Sequence, residues 1–298
     1  MGYTVPALTF RFDADLLAHA DEWIGEVDRV FPTAALARER DGRRLLTIGS
    51  IGSRLVPWGI ALPLDRPLPA VGALIVLQGR ELAFPGGGAP PLRLSGAGVD
   101  LAVRPGALSH RALRGQLAAL PVPTPGEGSL AGGAGGRVPA LVAARVAEAT
   151  VTVTRSLCGP SPDDLRPPVR ALLGLGPGST PTGDDVLIGL LAAAIRFAVP
   201  GGLAPAGVDA LRRELAQVPA DSTTDVAREM IVHSSRGAFP EDLARFVELL
   251  GAPGRPPAAI HRAADDLSAL GGSSGADMLG GVLALAGSVS AGEEKAER

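Results

Sequence analysis

The stretches "TGDDVLIGLLAAA" (182–194) and "SGADMLGGVLALA" (274–286) align without a gap. Their common pattern is hydroxyl, Gly, any residue, Asp, any, Leu, any, Gly, any, Leu, Ala, any, Ala. Thr182 matches Ser274, Gly183 matches Gly275, Asp185 matches Asp277, and Gly189 matches Gly281. Each copy follows a lead-in rich in glycine and hydroxyls, "GLGPGSTP" before the first and "GGSS" before the second. Such an echo predicts two helices that start alike, and one pseudo-symmetric site with unlike halves if the two loops converge in space.

Two explanations of the shared head compete. A hydroxyl with an acidic residue three positions later, ahead of an apolar run, is a capping-box arrangement, in which the hydroxyl and the carboxylate satisfy free backbone N–H groups. Gly189 and Gly281 then permit close helix approach. Capping leaves Asp184 unexplained, however, because its counterpart is Ala276. It also calls for none of the flexible residues ahead of the helix. A glycine-rich segment opening a helix turns several N–H groups toward one point, as anion sites do. Asp184 there repels an anion unless a ligand N–H donor or a metal such as Mg²⁺ lies between. A carbamoyl or amide group supplies such donors.

The totals narrow the class. With 298 residues, 46% of them hydrophobic and 20% charged, the chain has material for one large core or two ordinary ones. Aromatic residues make up 3% and the net charge is −3, so neither a base-stacking platform nor a phosphate-backbone footprint is present, and nucleic acid is not an expected partner. "MGYTVPALTFRFDADLL" does not read as a signal peptide. The longest apolar window, Val186 to Val199, is too short to span a bilayer and contains Arg196, so no membrane association is expected. One cysteine, Cys158, suits a reducing, cytoplasmic setting and lies near no base partner that makes it a nucleophile. The four histidines show no metal-ligand spacing.

The predicted architecture is α+β. Residues 1–120 read as a β-rich, barrel-like N-terminal domain, from branched apolar runs such as "RRLLTIGSIGSRLVPWGIAL" and "GALIVLQGRELAF" broken by Gly and Pro. One helical interruption is predicted, "DADLLAHADEWIGEVDRV". Residues 121–139, "PVPTPGEGSLAGGAGGRVP", read as a Gly/Pro-rich linker or loop. Residues 140–290 carry helical spacing in "ALVAARVAEATVTVTRSL", "DALRRELAQV", "TTDVAREMIVHSSRG" and "PEDLARFVELLG", and 291–298 form a charged tail.

Three blocks in order, "GLGPGSTPTGDDVLIGLLAA", "TTDVAREMIVHSSRGAFPEDLARFVELL" and "ALGGSSGADMLGGVLALAG", resemble the AllH-type family over roughly residues 170–287. The resemblance implies a link to oxamate carbamoyltransferase, in which such chains are one subunit beside two others, and to transfer of a carbamoyl group between a small amide acceptor and phosphate. It is inexact at Ser179 and Thr182, where Leu or Phe and Ser are expected in many members of the family. Thr182 keeps a hydroxyl, whereas Ser179 changes a pocket wall.

The expected activity is therefore carbamoyltransferase-type, on a small amide or carboxylate with carbamoyl phosphate, with Mg²⁺ as the one metal to consider. Gly176, Gly178, Ser179 and Thr180 are assigned to oxygen binding, Thr182, Gly183 and Gly275 to substrate binding, and Ser273 and Ser274 from the second loop stand with Asp184, Asp185 and Asp277. Asp184, Asp185 and Asp277 are to hold polar hydrogens or a metal. His233 is a candidate base and Arg236 a candidate anion contact, although both also suit the end of a helix before Gly237. Thr223 and Thr224 are a further candidate cap, and Arg54 beside Trp58 a weaker anion contact. The alternatives are a non-catalytic subunit that assembles with partner chains, and a regulatory protein that binds a small carboxylate or amide.

Overall fold

The structure, a computed structural model, describes residues 11–19, 22–42, 44–50, 53–63, 66–87, 90–95, 98–120, 140–159, 164–199 and 202–296. The expected linker at 121–139 lies outside them. Two compact units divide the chain, Met1–Leu101 and Ala102–Arg298, so residues 102–120 count with the helical unit.

The first unit is an eight-stranded half-barrel sheet. In chain order come β1 (Arg11–Phe12), α1 (Ala14–His19), β2 (Glu22–Val30), β3 (Ala34–Glu39), β4 (Leu45–Gly49), β5 (Gly59–Ala61), β6 (Leu74–Gln78), β7 (Glu81–Ala83) and β8 (Leu92–Arg93). Their order across the sheet is β1-β5-β4-β3-β2-β6-β7-β8, antiparallel except between β4 and β5. The helix predicted over "DADLLAHADEWIGEVDRV" ends at His19, and its second half is the long strand β2. Trp23 and Val27 fit both periods, but Gly25 decides: a Cβ there would stand 2.3 Å from the Arg38 carbonyl of β3, so the segment is shaped for a neighbouring strand. Trp58 sits at φ +57 in the turn before β5; Asp13 accepts its backbone N–H at 2.8 Å and the Arg44 guanidinium lies 5.0 Å from its ring centre. Arg54 is exposed.

The second unit is helical: α2 (His110–Ala119), α3 (Ala140–Cys158), α4 (Arg166–Leu172), α5 (Thr182–Arg196), α6 (Pro205–Ala216), α7 (Asp225–Ser235), α8 (Glu241–Leu249), α9 (Pro257–Ser268) and α10 (Ser274–Ala296). The charged tail expected from 291 continues α10 as far as Ala296. All of α5 is buried, and α3, α4, α6, α7, α8 and α10 pack around it. A helix without a polar face is stable only inside such a shell. Its one arginine, Arg196, is held at its C-terminal end by the carbonyls of Val247, Glu248 and Ala107. No helix among the described residues is long and apolar enough to cross a membrane.

Candidate functional site

The sequence echo is a structural one. In α5, a Cβ on Gly189 would stand 2.0 Å from the Met278 carbonyl of α10; in α10, a Cβ on Gly281 would stand 2.3 Å from the Val186 carbonyl of α5. Val186 and Met278 are themselves equivalent in the alignment, so the two helices touch reciprocally, as across a local two-fold axis. The equivalence reaches further back than the sequence showed. Gly183 packs under the carbonyl of Leu172, which ends α4, and Gly275 under that of Leu267, in the last turn of α9. Leu175 then donates to Leu172 at 3.0 Å and Gly183 to Leu175 at 2.9 Å, while Leu270 donates to Leu267 at 2.9 Å and Gly275 to Leu270 at 3.0 Å. Each repeat is thus a helix, a turn and a second helix. The turns differ in length: residues 176–182 fill the first, 271–274 the second.

The two turns meet. The hydroxyls of Thr180 and Ser274 hydrogen-bond each other at 2.6 Å, joining the loop ahead of α5 to the start of α10. Asp185 and Asp277 are buried among these elements, Asp185 with no exposed surface. Burial pushes the Asp185 carboxyl well above the usual range, and the nearby Asp277 adds to this; the Ser274 and Thr180 hydroxyls offset part of it, and Asp184 raises it slightly. Neither Asp185 oxygen meets a protein donor in full hydrogen-bond geometry. A carboxyl in this position retains its proton well above pH 4 and offers both an O–H donor and an acceptor.

The capping explanation fails at α5. Its N-cap is Pro181, no side chain caps the helix, and the N–H groups of Asp184 and Asp185 both reach the Pro181 carbonyl. Asp185 is therefore free of the duty that would have made it ordinary.

Asp184 has other work. Its Oδ1 accepts from the Gly174 N–H at 3.0 Å and its Oδ2 from the Thr223 hydroxyl. Burial raises its pKa, and those two bonds hold it back. Thr224 caps α7, accepting from the Ala227 N–H at 3.1 Å, and donates its hydroxyl to the Ser179 carbonyl. The loop between Gly174 and Thr180 is consequently tied at three places. Gly174 and Gly176 lie at φ +69 and +124, and a Cβ would collide with Ser222 and Thr182 respectively. Gly178 and Ser179 are exposed, at the outer rim of the loop.

Of the residues assigned from sequence, Thr180, Thr182, Gly183, Asp184, Asp185, Ser274, Gly275 and Asp277 gather at these paired turns, with Gly176, Gly178, Ser179 and Ser273 in the loops. His233 and Arg236 do not join them. Nine and twelve positions separate them from Thr224 on α7, about 13 Å and 18 Å along the axis. His233 is buried with Nε2 3.4 Å from Glu229, and Arg236 is the exposed C-cap residue of α7. Sequence reasoning missed the tie from Thr223 to Asp184, because nothing local relates residues 39 apart. Desolvation raises the Cys158 thiol, away from the thiolate that a nucleophile needs. Among the described residues, no group of three or more His, Cys, Asp or Glu side chains is arranged to hold a metal ion.

No solved structure matches this chain. Residues 172–286, from the last residue of α4 into the second half of α10, match the family model described as oxamate carbamoyltransferase subunit AllH, so the resemblance carried by the three sequence blocks holds over the segment that contains both turns.

Proposed function

We propose that this chain serves a carbamoyltransferase and that the paired turns bind a carbamoyl-bearing ligand, with carbamoyl phosphate as donor and a small amide such as oxamate as acceptor. The observation that carries this reading is Asp185: a fully buried carboxyl without a completed hydrogen bond, beside a second buried carboxyl and beneath two hydroxyls from different loops. Leaving such a group unsatisfied costs stability on the order of 1–3 kcal/mol, and a ligand that bonds to it removes that cost.

The parts suit the chemistry. Backbone N–H groups of Gly176, Gly178 and Ser179 serve phosphate oxygens, and the Thr180 and Ser274 hydroxyls serve the carbamoyl carbonyl. Asp185 and Asp277 accept from the carbamoyl NH₂. In the transfer, the acceptor nitrogen attacks the carbamoyl carbon and the carbon's bond to the bridging oxygen breaks. The electron pair leaves with phosphate, and the proton lost from nitrogen passes to the carboxylate pair. Asp184, with both oxygens occupied, positions the loop rather than reacting. Since Asp185 has no exposed surface, a ligand reaches it by parting the Thr180–Ser274 bond.

That closed bond favours a second reading, in which the turns are a structural lock in a subunit that assembles with partner chains. Calorimetric titration of carbamoyl phosphate, with and without Mg²⁺, into wild type and Asp185→Asn separates the two. Binding that disappears in a folded variant supports the ligand site. Unchanged binding overturns it. Phosphate release from carbamoyl phosphate plus oxamate by the chain alone removes the assembly reading, whereas binding without turnover, even with partner subunits, favours a regulatory role.

A further inference from the structure

At the opposite end of α5 from the paired turns lies a cavity of about 450 Å³, built wholly within the helical unit. That volume falls in the range of small-molecule sites. Three arginines line it, Arg104, Arg212 and Arg236, against one acid, Asp209. Its apolar wall includes Val103, Ile195 and Val208. Asp185 lies ten residues from Ile195, about 15 Å along the helix, so the cavity is separate from the turns.

Local structure brings the three arginines to one cavity. Gly237, at φ +99, turns the chain after α7, and its carbonyl accepts from the Val103 N–H at 2.9 Å. The bridge between Ala102 and Ala238 runs antiparallel, which sets Arg104 alongside Arg236. Arg212, on α6, is steadied by its Nε donating to the Ser235 carbonyl at 2.9 Å. The N-terminal turn of α6 also faces the cavity through Pro205, Val208 and Asp209, and its N-cap, Ala204, provides no side-chain cap. The positive end of the α6 dipole thus adds to the arginines.

An arginine at the C-terminus of α7 is ordinary on its own, since it complements that helix's dipole. This accounts for Arg236 but not for the placing of Arg104 and Arg212 on the same cavity. Arginine forks match the planar or tetrahedral oxygens of carboxylate and phosphate groups, and the apolar wall suits a short hydrocarbon body. We infer that this cavity is a second ligand site, distinct from the paired turns, for a small organic oxyanion: a carboxylate or phosphate head held by Arg104, Arg212 and Arg236, with a short apolar body against Val103, Ile195 and Val208. The inference does not rest on the function proposed for the turns.

The test measures thermal stabilisation of the full chain by butyrate and by inorganic phosphate, each against sodium chloride at matched ionic strength, and converts it to an apparent Kd. One or both probes should stabilise the wild type, and butyrate alone or phosphate alone tells which head the arginines prefer. Arg236→Gln should weaken the better probe roughly tenfold, the loss expected for one charge-assisted contact. Arg104→Gln, at an exposed position, should do the same and serves if Arg236→Gln folds poorly. Arg213→Gln, one residue from Arg212 and outside the lining, should change nothing. Stabilisation no greater than chloride gives, or equal affinity in Arg236→Gln, Arg104→Gln and wild type, overturns the inference. Carbamoyl phosphate binding lost in Arg236→Gln but kept in Asp185→Asn overturns the reading of the turns and leaves this site standing; the reverse loss separates them the other way.

Discussion

In the first repeat the Leu172 carbonyl rests on Gly183, and Gly189 lets α10 approach; in the second the Leu267 carbonyl rests on Gly275, and Gly281 lets α5 approach. The backbone contacts are paired one for one. The side chains in the turns are not. Asp184 ties Gly174 to Thr223, whereas Ala276 in the same place ties nothing. The first turn is three residues longer, carries Gly176, Gly178 and Thr180, and is anchored to α7 through Thr224. What the repeats share is therefore the geometry that brings two helix starts together. What distinguishes them is a shaped, pinned loop on one side only. A duplication that served packing alone would need no such asymmetry.

The largest effect should come from breaking the shared half of this comparison. Gly189→Ala puts a carbon 2.0 Å from a backbone carbonyl that cannot swing away, so α5 and α10 must separate. Urea unfolding should show a loss of about 3 kcal/mol or more, at the upper end of overpacking. Gly281→Ala should lose a similar amount. The double variant should lose clearly less than the two added together, because helices already parted once need not part again. Gly280→Ala, next door on α10 with no atom within 4 Å of the added carbon, should be neutral or up to about 1 kcal/mol more stable from helix propensity. If Gly189→Ala matched Gly280→Ala, the reciprocal contact would be wrong.

These contacts were half visible in the sequence. The hydroxyl–Gly–x–Asp heads and the glycines seven positions on marked both helices and their close approach, since close packing leaves a small residue wherever backbone meets backbone. The equivalence of α4 with α9 was hidden, because "LLGL" and "LSAL" share only leucines and their likeness lies in carbonyl placement. Asp185 and Asp277 could be singled out by their repetition, but cap and buried pair look identical in sequence until the hydrogen-bond partners are known. Strand β2 was misread because Trp23 and Val27 suit a helix as well as a strand, and the decisive neighbour, Arg38, comes from a different strand. Arg236 drew notice as an anion contact by its residue type alone, and its place at the C-cap of α7, away from the paired turns, comes only from the fold.

The next effect breaks the half that the repeats do not share. Asp184→Ala gives the first turn the residue found in the second. It strands the Gly174 N–H and the Thr223 hydroxyl, both at least partly buried, and should cost about 2–3 kcal/mol in urea unfolding. Thr223→Val removes one of those bonds and should cost less. Carbamoyl phosphate binding should weaken in both, in proportion to how far the loop loosens. An Asp184→Ala protein as stable as wild type would mean that the first turn, like the second, holds its shape without side-chain ties.

The smallest effect sharpens the comparison at the point where the turns meet. A carboxyl whose pKa is raised on folding adds nothing below its unfolded value, near 3.8, where both states are protonated. As pH rises from there, the unfolded chain ionises first, so stability falls until the raised value is passed, and the cost then persists. Asp185→Asn has no proton to lose, and its amide can donate to the Thr180 and Ser274 hydroxyls. It should be about 1 kcal/mol more stable than wild type at pH 7, with the advantage gone below about pH 4. Ser274→Ala should widen the wild-type window instead: it removes a hydroxyl that lowers the Asp185 pKa, so the decline in stability should extend to higher pH. In the Asp185→Asn background the same substitution should leave the pH profile unchanged. That contrast matters because Ser274 belongs to the second repeat and Asp185 to the first. A Ser274→Ala profile that shifts only when Asp185 is present shows the two turns acting on one group, while a shift independent of Asp185 would return them to two neighbouring but separate helix starts.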